Sequence, residues 1–269
     1  MHFTTFSKTS PLKTECEDAL LVNEQARLFG VFDGVTPITD YKDHRGHNGA
    51  YIAANLFREH FEALKPGADI FVELTEANRQ LRGRMESAGI DMTPLHERWA
   101  ACGAVISVDT REIRFVHVGD CMIISMDIEG NVTVHTRDYV EGVPARAARK
   151  RAEDRQQGIY VPDDSFFEDP RREEEYCRWM ANMPDGYGVA NGMEEMRDFI
   201  QTGSIDPSSL RYLLLLTDGL ILPGQSPAEV LPLIVNSELA VFAEHVERSE
   251  RVAGRRPDDK TCVLLRFDG

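Results

Sequence analysis

The stretch LFGVFDG at residues 28–34 is an apolar run that ends on an Asp-Gly pair. A short apolar run with this ending predicts a buried β-strand that stops at a turn. Two other runs end in nearly the same way, IRFVHVGD at residues 113–120 and RYLLLLTDGL at residues 211–220. A strand fixes the backbone of the acidic residue at its end, and the adjacent glycine lets another group approach closely. The acidic residues in these positions are Asp33, Asp120 and Asp218.

The segments around these runs predict a layered α+β domain. Residues 18–34 predict two strands joined by a polar turn, and residues 101–135 predict an antiparallel meander of short strands. Apolar residues at helical spacing predict helices over residues 49–64, 69–88 and 227–246. The segment RRPDDKTCVLLRF at residues 255–267 predicts a loop that leads into a last apolar strand. This order favours a layered α+β fold over alternating βαβ units.

The middle of the chain has a different composition. Residues 137–190 are polar and rich in charge, and interspersed aromatic residues favour a solvated helical or loop insertion over a disordered linker. Residues 192–202 predict a short helix. No Gly/Ser/Pro-rich break divides the sequence, so we expect one domain over residues 1–269 with an insertion at about residues 140–205.

Composition excludes several classes of protein. The chain has 45 acidic and 30 basic residues, a net charge of −15, which disfavours binding to the nucleic-acid backbone. It has neither the roughly 18–20 consecutive apolar residues of a membrane span nor the N-terminal pattern of a secretory signal. The five cysteines include no CxxC pair, which argues against a disulfide scaffold or a zinc site. We therefore expect a cytoplasmic protein without nucleic-acid or membrane partners.

The acidic strand ends indicate a metal site. If the strands pair, the carboxylates of Asp33, Asp120 and Asp218 converge at one end of the sheet, where their mutual repulsion is unfavourable. Asp258 or Asp259 lies at the start of the last strand, and Glu17–Asp18 at the start of the first. A pair of divalent cations relieves such repulsion, and carboxylate and water ligands suit Mg²⁺ or Mn²⁺.

Five motifs in order resemble those of the metal-dependent protein phosphatases, the type 2C serine/threonine phosphatase family. They are ECEDALLV, LFGVFDG, CGAVISV followed by IRFVHVGDC, LLLLTDGL, and PDDKTCVLL. The resemblance covers the chain apart from about residues 35–48 and 140–205. It implies a four-layer α-β-β-α sandwich, in which helices flank two mainly antiparallel sheets and a two-metal centre lies at one end. The insertion matches the family's variable flap beside the cleft.

The resemblance also implies a role for individual residues. Asp18 matches a ligand of one metal, Glu17 acts at the other through water, Asp33 bridges both, and Gly34 offers a carbonyl. Asp218 and Asp258 match further ligands, and Asp259 takes the place of the asparagine in the family's D-N-x-T motif, a mild departure. Which of these two neighbours is the closer ligand stays open. Asp120 matches the ligand of a third, weaker metal.

The chemistry implied by the resemblance is hydrolysis by a water bound between two Mg²⁺ or Mn²⁺ ions, held by residues that include Asp33 and Asp218. Two departures bear on the rate. Val35 stands where the family has a histidine after Asp-Gly, and His44 or His47 could replace that general acid. Lys13 stands where the family has a phosphate-binding arginine, and its ammonium attracts phosphate without the bidentate fork.

We therefore expect a protein phosphatase acting on phosphoserine and phosphothreonine, a monomer that has phosphoproteins as substrates and a kinase as a functional counterpart. One alternative is a catalytically weakened member of the fold that mainly binds or regulates partners. Another is a phosphomonoesterase for small molecules. A further hypothesis is that basic residues of the insertion, at 146–151 and 171–172, select acidic or phosphorylated partners; a solvated helix face is the alternative.

Overall fold

The computed structural model describes residues 1–267 as two stacked five-stranded sheets in which every strand pair is antiparallel. The strands are β1 (His2–Lys8), β2 (Asp18–Asn23), β3 (Leu28–Gly34), β4 (Ala101–Val108), β5 (Ile113–Val118), β6 (Met122–Asp127), β7 (Val132–Val134), β8 (Gln201–Ile205), β9 (Leu210–Leu216) and β10 (Lys260–Arg266). Sheet I has the strand order β2-β3-β4-β5-β8, and sheet II has the order β1-β10-β9-β6-β7.

Helices cover the outer face of each sheet. The helices are α1 (Gly49–Glu62), α2 (Ile70–Ser87), α3 (Val143–Gln156), α4 (Pro170–Trp179), α5 (Pro227–Val235) and α6 (Leu239–Val252). Apolar residues of α1 and α2 share a buried cluster with sheet I, and those of α5 and α6 share one with sheet II. A third cluster fills the space between the sheets. The expected α-β-β-α sandwich is confirmed.

Local signals explain where the main helices begin. Asn48 caps α1, because its side chain accepts a hydrogen bond from the backbone N–H of Tyr51 at 3.0 Å. Ser226 and Glu229 form a capping box at the start of α5. The prediction of a single helix over residues 227–246 is wrong, because α5 ends at Val235 and α6 begins at Leu239.

The expected meander over residues 101–135 is also partly wrong. Strands β4 and β5 pair in sheet I, whereas β6 and β7 pair in sheet II, so the chain crosses between the sheets after β5. Gly119 lies at the crossing with φ of +94°, a conformation that favours glycine. The crossing leaves Asp120 at the boundary between the two sheets.

The insertion contains α3 and α4, which pack on each other. Residues 192–202, expected to form a short helix, contain a 3₁₀ helix at Glu194–Phe199 followed by the start of β8. Among residues 1–267, none of the helices combines the length and the apolar character needed to cross a bilayer.

Candidate metal centre

Two of the predicted acidic residues lie directly opposite each other in sheet I. The register of β2 and β3 pairs Asp18 with Asp33. Like charges in this arrangement are destabilising unless something compensates for them. Burial raises the pKa of Asp33 well above its usual value, and the charges of Asp18, Asp218 and Asp120 raise it further. The pKa of Asp18 is raised in the same way, by burial and by the charge of Asp259, against a hydrogen bond from Thr217.

Sheet II brings Asp218 to the same place. The backbone N–H of Thr217 donates to the carbonyl of Thr261 at 3.0 Å, which fixes the end of β9 against β10. The Thr217 hydroxyl donates to Asp18 Oδ2 at 2.8 Å and so joins the two sheets at this end. Desolvation by the surrounding protein and the charge of Asp258 raise the pKa of Asp218 to about 6, whereas a hydrogen bond with Asp33 lowers it. The residue as a whole is exposed to solvent.

Asp120 lies at the crossing between the sheets. Burial and the charge of Asp218 raise its pKa to about 7, while a hydrogen bond with Cys102 lowers it. Its Oδ1 atom is inaccessible to solvent and has no hydrogen-bond partner among residues 1–267. A buried carboxylate oxygen without a partner is unfavourable unless a cation or a water satisfies it.

Glu17 is held by three donors. Thr36 Oγ1 donates to Glu17 Oε2 at 2.8 Å, and Asn48 Nδ2 donates to Glu17 Oε1 at 2.5 Å. Lys13 Nζ forms an ion pair with Glu17 Oε2 at 2.7 Å. Neighbouring Gly34 packs so tightly that a Cβ there would lie 2.4 Å from the carbonyl oxygen of Ala50. The sequence gives no local sign of Thr36 and Asn48 as partners of Glu17, because both lie in the loop outside the five motifs.

Lys13 also pairs with the two neighbouring acids before β10. Its Nζ lies 2.9 Å from Asp258 Oδ1 and 3.0 Å from Asp259 Oδ2. Burial alone would lower the pKa of Lys13, but the hydrogen bond with Glu17 and the charge of Asp258 raise it well above its usual value. The ammonium group therefore already serves as a cation for three carboxylates.

Asp258 and Asp259 have different surroundings. The Asp259 side chain is 1% exposed, and its two oxygens accept from the backbone N–H groups of Ser10 at 2.7 Å and Glu17 at 2.8 Å. The Asp258 side chain is 48% exposed. Asp259 thus ties together the segment that leads into β2, whereas Asp258 faces solvent beside Lys13.

The loop after β3 carries Val35 and both candidate histidines. His47 stacks on the Tyr51 ring at 4.0 Å between centroids, and its Nδ1 lies 2.5 Å from Glu15 Oε2. His44 is exposed. Val35 packs against the cluster between the sheets. A contact from the insertion reaches the same loop, because the Arg178 guanidinium donates to the carbonyl oxygen of Thr36.

The chemistry of this end of the sandwich fits hard divalent cations. The donors are carboxylate oxygens, and burial together with mutual repulsion raises the pKa values of four of them, Asp18, Asp33, Asp120 and Asp218. One oxygen of Asp120 lacks a partner among residues 1–267. No group of three or more His, Cys, Asp or Glu side chains within residues 1–267 is already spaced as a metal site. Two of the proposed ligands, Glu17 and Asp258, are instead paired with the ammonium of Lys13.

Comparison with known families agrees with this geometry. A family model described as Protein phosphatase 2C matches residues 12–254. The chain belongs to the protein phosphatase 2C family. By family it is a metal-dependent serine/threonine protein phosphatase, a class of enzyme that acts on phosphoproteins. A comparison with curated protein sequences finds no match.

Solved bacterial phosphatases share the fold of this protein phosphatase 2C chain. The serine/threonine phosphatase Stp1 from Staphylococcus aureus is 16% identical with a TM-score of 0.62, over 99% of this chain and 95% of that one. The catalytic domain of PstP, solved in complex with two manganese ions, is 18% identical with a TM-score of 0.60, over 98% and 96%. PppA, described as a key regulatory component of T6SS in Pseudomonas aeruginosa, is 14% identical with a TM-score of 0.62, over 99% and 97%.

Proposed function

We propose that this chain hydrolyses phosphoserine and phosphothreonine in proteins, with Mg²⁺ or Mn²⁺ held at the end of the sandwich. The observation that carries the proposal is the convergence of carboxylates from both sheets at one end of the sandwich. Burial, and then the charges of neighbouring carboxylates, raise the pKa values of Asp33, Asp120 and Asp218 there. This arrangement is unfavourable without cations and favourable with them. The proposed ligands are Glu17, Asp18, Asp33, Gly34, Asp218 and Asp258 for two ions, and Asp120 for a third.

Bound divalent cations supply an activated water and offset negative charge on the phosphoryl group. The residues of the chain position what surrounds them. Asp33 lies opposite Asp18 in the register of β2 and β3 and forms a hydrogen bond with Asp218 of sheet II. Thr217 fixes Asp18 by hydrogen bonding, and Thr36 and Asn48 fix Glu17.

We propose two tasks for Lys13. It holds Glu17, Asp258 and Asp259 together when the cations are absent, and it contacts the phosphate of the substrate once cations have taken Glu17 and Asp258. For His47 we propose an anchoring role through Glu15 and Tyr51, and we propose no proton transfer by His44. Val35 has no ionisable proton to donate, and we propose that the leaving alkoxide receives its proton from solvent.

We further propose that the chain acts as one monomeric phosphatase domain in the cytoplasm, opposed by a protein kinase. The support for a reducing compartment is that all five cysteines are free thiols. The net charge of −15 supports a protein substrate over nucleic acid.

A weakened, mainly regulatory protein is the second candidate, and the observation that favours it is the ammonium of Lys13 among the carboxylates. Hydrolysis of p-nitrophenyl phosphate and of a phosphothreonine peptide in Mn²⁺, Mg²⁺ or EDTA separates the two. We expect activity with metal and none in EDTA. Asp33→Asn and Asp218→Asn should each lower kcat by at least about 100-fold. This loss is larger than the loss typical for replacing a residue that only hydrogen-bonds to a metal ligand.

The matched control is Asp127→Asn, because Asp127 is an acidic residue at the far end of β6, where it bonds Asn131. This variant should keep the wild-type kcat. Activity in EDTA, or full activity of Asp33→Asn, contradicts the proposed site. Inactivity of the wild type despite Mn²⁺ binding favours the regulatory protein.

A further inference from the structure

A cavity of about 370 Å³ lies between the acidic centre and the insertion. Val35 and Asp120 line it on the side of the sandwich, and Val140, Val143, Glu173 and Cys177 line it on the side of the insertion. Asp120 belongs to the proposed metal centre, so the cavity adjoins the place where a phosphorylated residue is bound. It is large enough for one long side chain of the substrate.

The lining combines an apolar wall with three carboxylates, those of Asp120, Glu173 and Glu174, and with the guanidinium of Arg178. Val35, Val140 and Cys177 all pack against the cluster between the sheets. Glu173 is half-buried, and its carboxylate forms no hydrogen bond or ion pair with any of residues 1–267. A half-buried carboxylate without a partner on an apolar wall is complementary to a side chain with an aliphatic stem and a cationic head.

The neighbouring charges of α4 are already neutralised. Glu174 pairs with Arg178 at 2.6 Å, and Glu175 pairs with Arg171 at 3.3 Å and Arg172 at 2.9 Å. Glu173 is therefore the acid of this helix that remains available to a ligand within the described part of the chain.

The basic residues of α3 are engaged in the same way. Arg146 donates to the backbone carbonyls of Glu141 and Tyr139. Lys150 pairs with Asp154, and Arg149 lies 3.8 Å from Glu153. Arg151 is buried, with its guanidinium over the rings of Phe167 and Tyr176. The run is therefore only in part the solvated face given as the alternative, and its contacts within the insertion disfavour the hypothesis that it binds acidic partners.

We propose that this cavity binds a lysine or arginine side chain of the protein substrate, close in sequence to the phosphorylated residue. The aliphatic stem packs on Val35 and Val143, and the cationic head pairs with Glu173. The inference rests on the proposed phosphatase function and adds a substrate class to it, phosphoproteins with a basic residue beside the phosphorylation site. Val35, which cannot act as the family's histidine does, here forms part of the binding wall.

The test uses a set of phosphothreonine peptides that differ at one position, on either side of the phosphothreonine. That position carries arginine, norleucine or glutamate, so that norleucine keeps the apolar stem without the charge. With Mn²⁺, the wild type should have a kcat/KM for the best arginine peptide about fivefold above that for its norleucine counterpart, as for a partly exposed ion pair. Glu173→Gln should reduce this ratio to about one, and Glu173→Lys should favour the glutamate peptide.

The control is Glu153→Gln, a change of the same kind on the exposed face of α3, which should keep the wild-type ratio. If the wild type hydrolyses p-nitrophenyl phosphate but does not distinguish arginine from norleucine, or if Glu173→Gln keeps the preference, the inference fails while the phosphatase function stands. If no phosphoester is hydrolysed, the proposed function fails. Fluorescence anisotropy of the labelled peptides then decides the inference: arginine-dependent binding lost in Glu173→Gln supports it, and equal binding overturns it.

Discussion

Replacing Asp259 by asparagine tests whether its carboxylate is a structural element or a ligand. Asparagine is what the family motif has at this position, so a mild departure would predict little effect. In the structure, however, Asp259 Oδ1 accepts the N–H of Ser10, and Oδ2 accepts the N–H of Glu17 and the ammonium of Lys13. The side chain is 1% exposed, so water cannot easily replace a lost partner.

The expected loss of stability follows from counting acceptors. An asparagine side chain offers one oxygen, so in either orientation its amide NH₂ group faces the N–H of Ser10 or that of Glu17. A buried donor without a partner costs about 1–3 kcal/mol. Loss of the Asp259 charge also removes a repulsion on Asp18, whose pKa that charge raises. We therefore expect the free energy of unfolding to fall by about 2 kcal/mol in total. At about 2.1 cal/mol/K per residue, the 269 residues give an unfolding entropy of about 0.56 kcal/mol/K and a Tm lower by about 4 °C.

The assay is thermal unfolding in EDTA together with Mn²⁺ titration by calorimetry, and Asp258→Asn is the matched control. The Asp258 side chain is 48% exposed, so its replacement should change Tm by less than about 1 °C but weaken Mn²⁺ binding about tenfold. An Asp259→Asn variant with the wild-type Tm refutes the structural role of that carboxylate. A larger loss of Mn²⁺ affinity in Asp259→Asn than in Asp258→Asn shows that the two roles are exchanged.

Three further predictions concern the same centre. In EDTA, Tm should fall as pH rises from about 4 to 7. The pKa values of about 7 for Asp120 and about 6 for Asp218 exceed the ordinary 3.8, so the native state keeps protons that the unfolded chain releases. Measurement of Tm against pH with and without Mn²⁺ checks this, and a flat profile in EDTA contradicts it. The Lys13→Met variant should bind Mn²⁺ about three- to tenfold more tightly in calorimetry, because the ammonium that competes for the carboxylates is gone. Its kcat/KM for phosphopeptides should be lower than that of the wild type. An unchanged Mn²⁺ affinity would show that the ammonium does not compete. The His47→Ala variant should have a lower Tm, because the ring contacts Glu15 and Tyr51, but its kcat for p-nitrophenyl phosphate should stay within about twofold of the wild-type value. A tenfold loss of kcat would restore the hypothesis that His47 is the general acid.

Strand pairs close in sequence could be predicted because each carries its own signal. Apolar runs that end on Asp-Gly predict buried strands, and residues 18–34 form β2 and β3 as expected. Strand β1 was not predicted, because its sequence HFTTFSK at His2–Lys8 is rich in Thr and Ser and contains no apolar run. The strand lies at the edge of sheet II, where it pairs only with β10. The crossing at Gly119 likewise has no local signal that distinguishes a change of sheet from an ordinary hairpin turn.

The site could be predicted as a set of acids but not as a network. Each Asp at a strand end is visible in its own motif, and Asp18 and Asp33 do lie opposite each other. The partners of Lys13 could not be predicted, since its contact with Asp259 joins residues 246 positions apart. The different surroundings of Asp258 and Asp259 depend on the N–H of Ser10, which is as distant in sequence and is brought close only by the folded sandwich.

The contact between Arg178 and Thr36 joins the insertion to the loop after β3. Arg178 belongs to α4 in the insertion, and the Thr36 hydroxyl serves Glu17. Displacement of α4 and rotation of the Glu17 carboxylate are therefore not independent events. Anything that pulls α4 away from the sandwich removes a restraint on a proposed metal ligand, and by thermodynamic reciprocity an ion that stiffens Glu17 also favours the docked position of α4.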